Sequence, residues 1–272
     1  PGPGTSDPAR GARWRRLRSA APVIYPVQAP AIYPGRGPAL GADPWPRSPL
    51  GCAVCRGPVR PGFSRCYQCE RHTRLAPGLL ADVVVPISYA VKGTALAADL
   101  WRYKSWPAPS ARARTSVLAL LLAFLHDHGA CVWRRAGMPG PGRLAVVPTG
   151  CGRPGPHPLL ELASPYLRLR PAGLVLRPGR QGRDLNVHRF HADQQVAGAG
   201  VLLLDDSWVS GGSAQSAAAA LKLAGARHVA IVVLGRHLDP ADAGACPPPG
   251  WLTAGPYDPS RCAVHGPWRP GR

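Results

Sequence analysis

The segment VLLLDDSWVSGGSAQS, residues 201–216, constrains the fold more than any other part of this 272-residue chain. Its first four residues are all apolar, which predicts a strand buried on both faces, as in a parallel sheet that helices cover on each side. Two neighbouring carboxylates, Asp205 and Asp206, follow at the predicted carboxyl end of this strand. A turn of small residues and an Ala-rich helix complete the segment. This order of elements predicts an α/β fold with a parallel sheet flanked by helices.

The turn after the two carboxylates has the composition of an anion site. Glycines lack side chains, so backbone N–H groups at this turn can close around a phosphate, and serine hydroxyls and the positive end of the following helix add to the attraction. Two adjacent carboxylates repel each other, which favours a polyol or magnesium partner beside them. The alternative is an ordinary strand-to-helix connection, in which Gly and Ser are common. The phosphate-binding candidates are Val209, Ser210, Gly211, Gly212 and Ser213.

Four cysteines form a second pattern, CAVCRGPVRPGFSRCYQC, in which ten residues separate two Cys-x-x-Cys pairs. Each pair places two thiolates on one tight turn, and two such turns supply the four sulfur ligands of a closed structural zinc site. We therefore predict a zinc knuckle over residues 51–75, and free or disulfide-bonded cysteines are the alternative. Because four thiolates complete the zinc shell, His72 is expected to be an ordinary surface histidine. The predicted ligands are Cys52, Cys55, Cys66 and Cys69.

The remaining cysteines have no comparable spacing. Cys131 and Cys151 are interpreted as packing or loop residues, although Cys151 falls in a loop that follows a predicted strand. Cys246, Cys262 and His265 could form part of another metal site, but their spacing is loose and the segment is rich in proline. We expect unliganded thiols there.

The formal net charge of +19 comes mostly from arginine and is spread over the chain. Such a charge favours anionic ligands, nucleic acid or acidic surfaces, and a coding bias toward arginine would produce it equally well. No stretch reaches the roughly 18 apolar residues of a membrane helix, and no secretory apolar segment is recognisable at the start. We therefore expect a cytoplasmic protein without a membrane span, in which metal ligation is better supported than disulfides.

The composition changes along the chain and predicts four regions. These are a disordered Pro/Gly/Arg-rich tail (1–50), the zinc knuckle (51–75), an α/β domain (80–238) and a Pro-rich C-terminal tail (239–272). Within the domain, hydrophobic periodicity and Gly and Pro positions set the element boundaries. One predicted strand begins near Val83, and the others cover 144–148, 173–176, 201–204 and 228–235. One predicted helix ends near Lys104, another begins near His157, and two more cover 110–128 and 212–224.

Residues 201–213 resemble the signature with which type I phosphoribosyltransferases bind phosphoribosyl pyrophosphate (PRPP). A four-cysteine knuckle ahead of that signature resembles the ComF-type competence family of predicted phosphoribosyltransferases, and the resemblance covers roughly residues 51–238. The chain departs from the signature at Ser207, Trp208 and Val209, and its loop TGCGRPGPHP departs from the family's Gly-Phe-Asn-Gln run. Shorter matches in the family's order are Tyr89, Lys92, Gly93 and Lys104, and then Asn186, Val187 and Phe190.

The resemblance implies a phosphoribosyltransferase-like fold over 80–238 and a role for each part of the signature. Asp205 and Asp206 would hold the ribose hydroxyls as catalytic residues, with magnesium bridging to the pyrophosphate, and residues 210–213 would cradle the 5-phosphate. Arg153 and Arg183 are the pyrophosphate candidates. Four arginines lie where a mobile loop could close over the leaving group, or else form a solvated basic loop. They are Arg177, Arg180, Arg183 and Arg189.

Two functions follow from the resemblance. The first is transfer of a phosphoribosyl group from PRPP to a nitrogen nucleophile, a base or amine that the sequence does not identify, with release of pyrophosphate. The second is a non-catalytic PRPP-binding or nucleic-acid-handling accessory protein of the competence type, with single-stranded DNA as a candidate partner.

Overall fold

The computed structural model describes residues 51–60, 62–149, 155–180, 182–239 and 263–264. Several predictions of the sequence therefore lie outside the described residues: the N-terminal tail 1–50, nearly all of the C-terminal tail, Arg153, Cys151, Cys246, Cys262 and His265.

In the described residues, strands and helices alternate through most of the chain. The strands are β1 (Val83–Val91), β2 (Arg143–Val146), β3 (Arg170–Pro171), β4 (Leu174–Leu176), β5 (Phe190–Ala192), β6 (Gly200–Trp208) and β7 (His228–Leu238). The helices are α1 (Tyr67–Leu75), α2 (Ala95–Arg102), α3 (Ala111–Arg135), α4 (Pro158–Leu167) and α5 (Gly212–Leu223), with a short 3₁₀ turn at Gln194–Val196.

The main sheet has five parallel strands in the order β1-β7-β6-β2-β3. The strand of the opening segment, β6, is central, and its Leu204 lies beside Val232 of β7 on one side and Val146 of β2 on the other. A separate antiparallel pair joins β4 and β5. The prediction of an α/β fold with a parallel sheet flanked by helices is confirmed.

Two apolar layers enclose the sheet, and this explains the uninterrupted apolar run in β6. Leu202 and Leu204 pack in the layer that contains α2, α3 and α4, whereas Val201 and Leu203 pack in the layer that contains α5 and the cysteines. Successive strand residues face opposite sides, so a strand covered on both sides needs apolar residues at every position. On the α5 side the helix presents small side chains to the sheet, at Ala214, Ala217 and Ala218.

Helix α3 is the longest element, and Ser110 caps its start by accepting a hydrogen bond from the Ala113 N–H at 3.3 Å. It extends to Arg135, beyond the predicted end at 128, because the additional turns bury Val132 in the core. The helix is long enough, and its mean hydropathy of 1.5 is high enough, to span a membrane. Buried core helices of soluble proteins can meet the same two criteria, and 67% of the most apolar window of α3 is buried in the fold. The expectation that the chain has no membrane span stays a prediction.

Helix α5 ends as its sequence predicts. Gly225 follows with a φ of 90°, a left-handed conformation that glycine adopts at little cost, and its N–H donates to the Lys222 carbonyl at 3.0 Å. The chain then enters β7. The strand–helix–strand unit formed by β6, α5 and β7 is therefore the part of the fold that local sequence patterns describe best.

Candidate functional site

The four predicted cysteine ligands converge in one cluster. Their sulfur atoms all lie within 4.8 Å of one another, and the Sγ atoms of Cys55 and Cys66 are 3.8 Å apart. A tetrahedron with Zn–S bonds of about 2.3 Å has edges of about 3.8 Å, so this separation fits a zinc ion and is far too long for a disulfide. Cys52, Cys55 and Cys69 are buried. The cluster can hold a metal ion such as zinc.

Local backbone geometry builds each half of the cluster. The first pair sits on a tight turn in which the Arg56 N–H donates to the Cys52 carbonyl at 2.9 Å and Arg56 takes a φ of 58°. The second pair lies at the start of α1, where Cys66 is the N-cap residue and Cys69 falls one turn later. The two Cys-x-x-Cys pairs therefore form the two turns that their spacing predicts.

The four thiols of the cysteine cluster have opposite pKa shifts, lowered for Cys52 and Cys55 and raised for Cys66 and Cys69. The pKa of Cys55 lies at about 7, since the Cys52 thiol raises it but Cys66, Cys69 and the Arg236 guanidinium lower it. Hydrogen bonds from the other three thiols hold the pKa of Cys52 well below the ordinary thiol value. Hydrogen bonds with Cys52 and Cys55 raise the pKa of Cys66 and Cys69 above the ordinary thiol value, so metal binding by all four thiolates would release protons from these two residues.

The prediction of a surface position for His72 is wrong. Its exposed fraction is 2%, and burial, followed by the charge of Arg71, lowers its pKa. The reason is the helical period of α1, which places His72 three residues after the buried Cys69, on the same inward face. His72 is not part of the four-sulfur cluster.

The two carboxylates lie within β6 and not beyond its end, because the strand continues to Trp208. The Asp206 side chain is buried on the face that α2 covers. Its Oδ2 accepts hydrogen bonds from the Tyr103 hydroxyl at 2.6 Å and the Lys104 Nζ at 2.5 Å. The sequence singled out Lys104 only through the family resemblance and missed Tyr103. No local pattern connects either residue to an acid a hundred positions away.

The two neighbouring acids have opposite pKa shifts. Burial, and then the negative charge of Asp206, raises the pKa of Asp205 to about 8. Burial also disfavours ionisation of Asp206, but the charge and hydrogen bond of Lys104, the hydrogen bond of Tyr103 and the influence of His157 outweigh it and lower its pKa. Near neutral pH the pair therefore carries one firm negative charge, on Asp206, and one exchangeable proton, on Asp205.

The turn after β6, residues 209–213, brings the chain into α5 through Gly211, whose φ is 81°. A side chain on Gly211 would overlap the ring of Trp208, which is buried beneath it. Val209, which stands where the family signature has a hydroxyl, is 56% exposed. The turn thus requires glycine at 211 for both conformation and space.

A neighbouring segment, residues 183–185, covers one side of this turn. A side chain on Gly212 would overlap the Arg183 carbonyl oxygen, to which the Ser210 hydroxyl also donates at 3.4 Å. The Asn186 N–H donates to the Ser216 hydroxyl at 2.8 Å and anchors this segment to α5. A carbonyl oxygen therefore lies against the Gly212 side of the turn, which the sequence analysis expected to be open to phosphate.

Among the four loop arginines, the structure distinguishes Arg189. Its exposed fraction is 3%, its Nη1 donates to the Ser213 hydroxyl at 3.0 Å and its Nη2 donates to the Asp184 carbonyl. Its Nε is buried without a partner, and burial lowers its pKa. Arg177, Arg180 and Arg183 are exposed, which agrees with the alternative of a solvated basic loop. A buried guanidinium thus lies at the first turn of α5.

The other residues of the resemblance have structural contacts. The Tyr89 hydroxyl donates to the Arg56 carbonyl at 2.7 Å and so joins β1 to the knuckle. Lys92 forms an ion pair with Asp239 at 2.7 Å near the end of the same strand. Gly93 follows with a φ of 90°. Tyr89 therefore helps to position the knuckle against the sheet.

Comparison of the chain with protein-family models, with curated proteins and with solved structures finds no match. No relative therefore supplies a substrate or partner for it. The two clusters of side chains, the thiols and the carboxylates with the turn that follows them, are therefore the observations from which a function can be proposed.

Proposed function

We propose that this protein is a ComF-type, phosphoribosyltransferase-like protein that binds PRPP with magnesium and transfers the phosphoribosyl group to a nitrogen nucleophile. The observation that supports it most is the order of charges along one strand–turn–helix unit. A carboxylate pair in the C-terminal half of β6 is followed by a glycine turn and the N-terminus of α5, with the buried Arg189 beside it. Carboxylates suit sugar hydroxyls and magnesium, and a helix N-terminus beside a guanidinium suits phosphate.

The carboxylate pair would bind the ribose and the magnesium ion. Asp206 is held ionised by Lys104 and would accept hydrogen bonds from ribose hydroxyls, which requires its buried side chain to become accessible. Asp205 would lose its proton when a cation or hydroxyl binds there, since a nearby positive charge lowers a carboxyl pKa. Carboxylate oxygens are the ligands that magnesium prefers, and the ion would supply neutralisation of the pyrophosphate charge.

The turn would bind the 5-phosphate. Ser210 and Ser213 offer hydroxyls, the first N–H groups of α5 have no partners within the helix, and Arg189 offers a buried positive charge. Phosphate on the Gly212 side requires the 183–185 segment to move, because the Arg183 carbonyl oxygen lies there. Arg183, with an exposed side chain, and Arg153, outside the described residues, remain the pyrophosphate candidates.

The proposed reaction breaks the bond between C1 of PRPP and the pyrophosphate oxygen and forms a bond from C1 to nitrogen. Pyrophosphate leaves with the bonding electron pair, and positive charge develops on the sugar in an oxocarbenium-like transition state. The negative charge of Asp206 would stabilise that charge, and most of the catalysis would come from positioning and electrostatics. The nucleophile donates its electron pair to C1 and gives up its proton to solvent.

We also propose that the metal in the cysteine cluster is zinc in a structural role. Four sulfur ligands complete a tetrahedral shell and leave no open position for substrate, as in structural zinc sites. Zinc would thus stabilise the knuckle, and magnesium would arrive with PRPP.

A second candidate function is supported by the 183–185 segment, which covers one side of the turn at 209–213. In a non-catalytic PRPP-binding or nucleic-acid-handling accessory protein, the 183–185 segment would not need to open for turnover. The net charge of +19 suits single-stranded DNA as a partner. Binding of single-stranded DNA that falls steeply with added salt, without pyrophosphate release from PRPP, would favour this candidate.

The binding site is tested by titration calorimetry of PRPP with and without magnesium. We expect magnesium-dependent binding by the wild type and none by the double variant D205N/D206N, which keeps the shape of both side chains but removes their charge. The matched control is D193N, which changes an exposed acid directly after β5. Unchanged PRPP binding by the double variant would show that the site assignment is wrong.

The reaction is tested by measuring pyrophosphate release from PRPP with purines, pyrimidines and ammonia as acceptors. Release that depends on one acceptor class and disappears in D205N/D206N identifies both the activity and the nucleophile. PRPP binding without release for any acceptor supports the accessory protein instead.

A further inference from the structure

Arg236 of β7 is a buried cation that the proposed function does not use. Its exposed fraction is 9%, and its Nη1 donates to the carbonyl oxygens of Trp208 at 2.9 Å and His237 at 2.7 Å. Its Nε is buried without a hydrogen-bond partner. Within the part of the chain that the structure describes, no carboxylate forms an ion pair with it. A buried charge of this kind is costly unless another charge compensates it.

The turn that carries the first cysteine pair lies beside this guanidinium. The Arg236 guanidinium lies so close to Gly57, two residues after Cys55, that a side chain on Gly57 would overlap it. Four thiolates around a divalent ion retain a net negative charge, so a metal-loaded cluster and a buried guanidinium partly offset each other's charge.

The other side of Arg236 reaches the candidate ligand site. The carbonyl to which it donates belongs to Trp208, the last residue of β6, and the buried Trp208 ring packs beneath Gly211. Trp208 also belongs to the same apolar cluster as Cys52, Cys55 and Cys69. A path of contacts therefore leads from the cysteine turn at Gly57 through Arg236 and Trp208 to the turn at 209–213.

We infer that Arg236 partly offsets the charge of the metal-bound thiolates and holds the end of β6, so that metal binding in the knuckle orders the turn at 209–213. Arg236 is a positioning residue in this scheme and touches no substrate. The inference rests on the proposed metal binding and is independent of whether the ligand of the turn is PRPP.

The test combines zinc affinity, measured by competition with a chromophoric chelator, and hydrogen–deuterium exchange of the amides at 209–213. The variant R236M keeps an unbranched apolar stem but removes the guanidinium with its charge and donors. We expect zinc affinity to fall about tenfold to a hundredfold, as for other residues that support metal ligands. We also expect exchange at the turn to become roughly tenfold faster, because the turn opens locally more often.

The matched control is R227M, which removes an exposed arginine just before β7, at the other end of that strand, and should change neither measurement. A second measurement uses the wild type and so does not depend on whether a variant folds. Removing zinc by chelation should make hydrogen–deuterium exchange of the amides at 209–213 faster. Unchanged zinc affinity in R236M, or unchanged exchange at the turn in R236M or after chelation, overturns the inference. A wild-type protein that binds no zinc overturns the proposed metal centre and this inference together, whatever its PRPP binding.

Discussion

At the scale of single residues, Asp205 and Asp206 show how surroundings give two identical side chains different properties. Asp206 is buried and Asp205 is half-buried, and burial favours the neutral form of each. Only Asp206 has a cation and a hydroxyl within hydrogen-bonding distance, on Lys104 and Tyr103. The pair therefore divides into an ionised acid and an acid that keeps its proton to about pH 8.

This division predicts a pH dependence of stability. Between the ordinary carboxyl pKa and its raised value of about 8, folded Asp205 holds a proton that the unfolded chain has released, so its contribution to stability is lost as the pH rises through that window. D205N removes the effect. Relative to wild type, D205N should therefore gain free energy of unfolding between about pH 5 and about pH 8.5, as measured by urea denaturation. The exposed-site variant D193N should show no such trend, and a pH-independent difference for D205N would contradict the raised pKa.

Removing the partners of Asp206 should destabilise the protein in proportion to the charge that each partner neutralises. K104M leaves a buried carboxylate without its cation, and we expect a loss of about 2–3 kcal/mol, reduced because Lys104 is partly exposed. Y103F removes one hydrogen bond to a charged group, with an expected loss of about 1.5 kcal/mol. Urea denaturation measures both losses.

The control for these two variants is K92M. It breaks the exposed Lys92–Asp239 pair, so the expected loss is only about 0.5 kcal/mol. Equal losses for K104M and K92M would show that Lys104 does not stabilise the ionised Asp206. Adding D206N to K104M should recover part of the loss, since the neutral amide no longer needs a cation.

At the scale of elements, the connection from β6 to α5 depends on close packing as well as on turn conformation. Gly211 takes a positive φ above the Trp208 ring, and Gly212 lies against the Arg183 carbonyl. Because both glycines lack side chains, the turn can pack between Trp208 of β6 on one side and the 183–185 segment on the other.

A comparison of two glycine substitutions separates conformation from packing. Gly179 has a φ of 71° with no atoms within 4 Å of the added methyl position, so G179A reports backbone strain alone, about 1 kcal/mol. G211A adds a clash with the buried Trp208 ring, and we expect a loss about 2 kcal/mol larger. Chemical denaturation of both variants measures the difference. Equal losses would mean that the ring is free to move away from the turn.

At the scale of the whole molecule, the knuckle is docked on the sheet and is not a separate appendage. Tyr89 of β1 donates to the Arg56 carbonyl, Arg236 of β7 packs against Gly57, and Arg56 itself donates to the Ala263 carbonyl at 2.8 Å. The cysteines share an apolar cluster with β6 and α5. Loss of the metal should therefore weaken the domain and not only the knuckle.

We expect chelation of the metal, or the variant C52S, to lower the Tm by about 10 °C. This corresponds to a loss of about 3 kcal/mol for a domain of this size. Calorimetry with metal analysis of the purified protein measures both quantities. C131S, which changes a cysteine outside the cluster, should keep its zinc and its Tm within about 3 °C. Purified protein without zinc, or a C52S protein as stable as wild type, would contradict the zinc assignment.

The sequence by itself determined the features that depend on neighbours along the chain. The apolar run of β6, the glycine turn, the end of α5 at Gly225 and the spacing of the two cysteine pairs all express backbone periodicity or turn conformation, which act over a few residues. They were sufficient to predict the parallel sheet with its flanking helices and the four-sulfur cluster.

Only the tertiary structure decided which distant residues meet. The pairing of Lys104 with Asp206, the burial of Arg189 at Ser213, the Arg183 carbonyl over Gly212 and the bond from Arg236 to Trp208 each join segments that are far apart in the chain. Such contacts arise from how the layers pack, and packing depends on the shape and charge of every element at once. For this reason the sequence indicated which residues carry the chemistry, whereas the folded chain determined their charges and their partners.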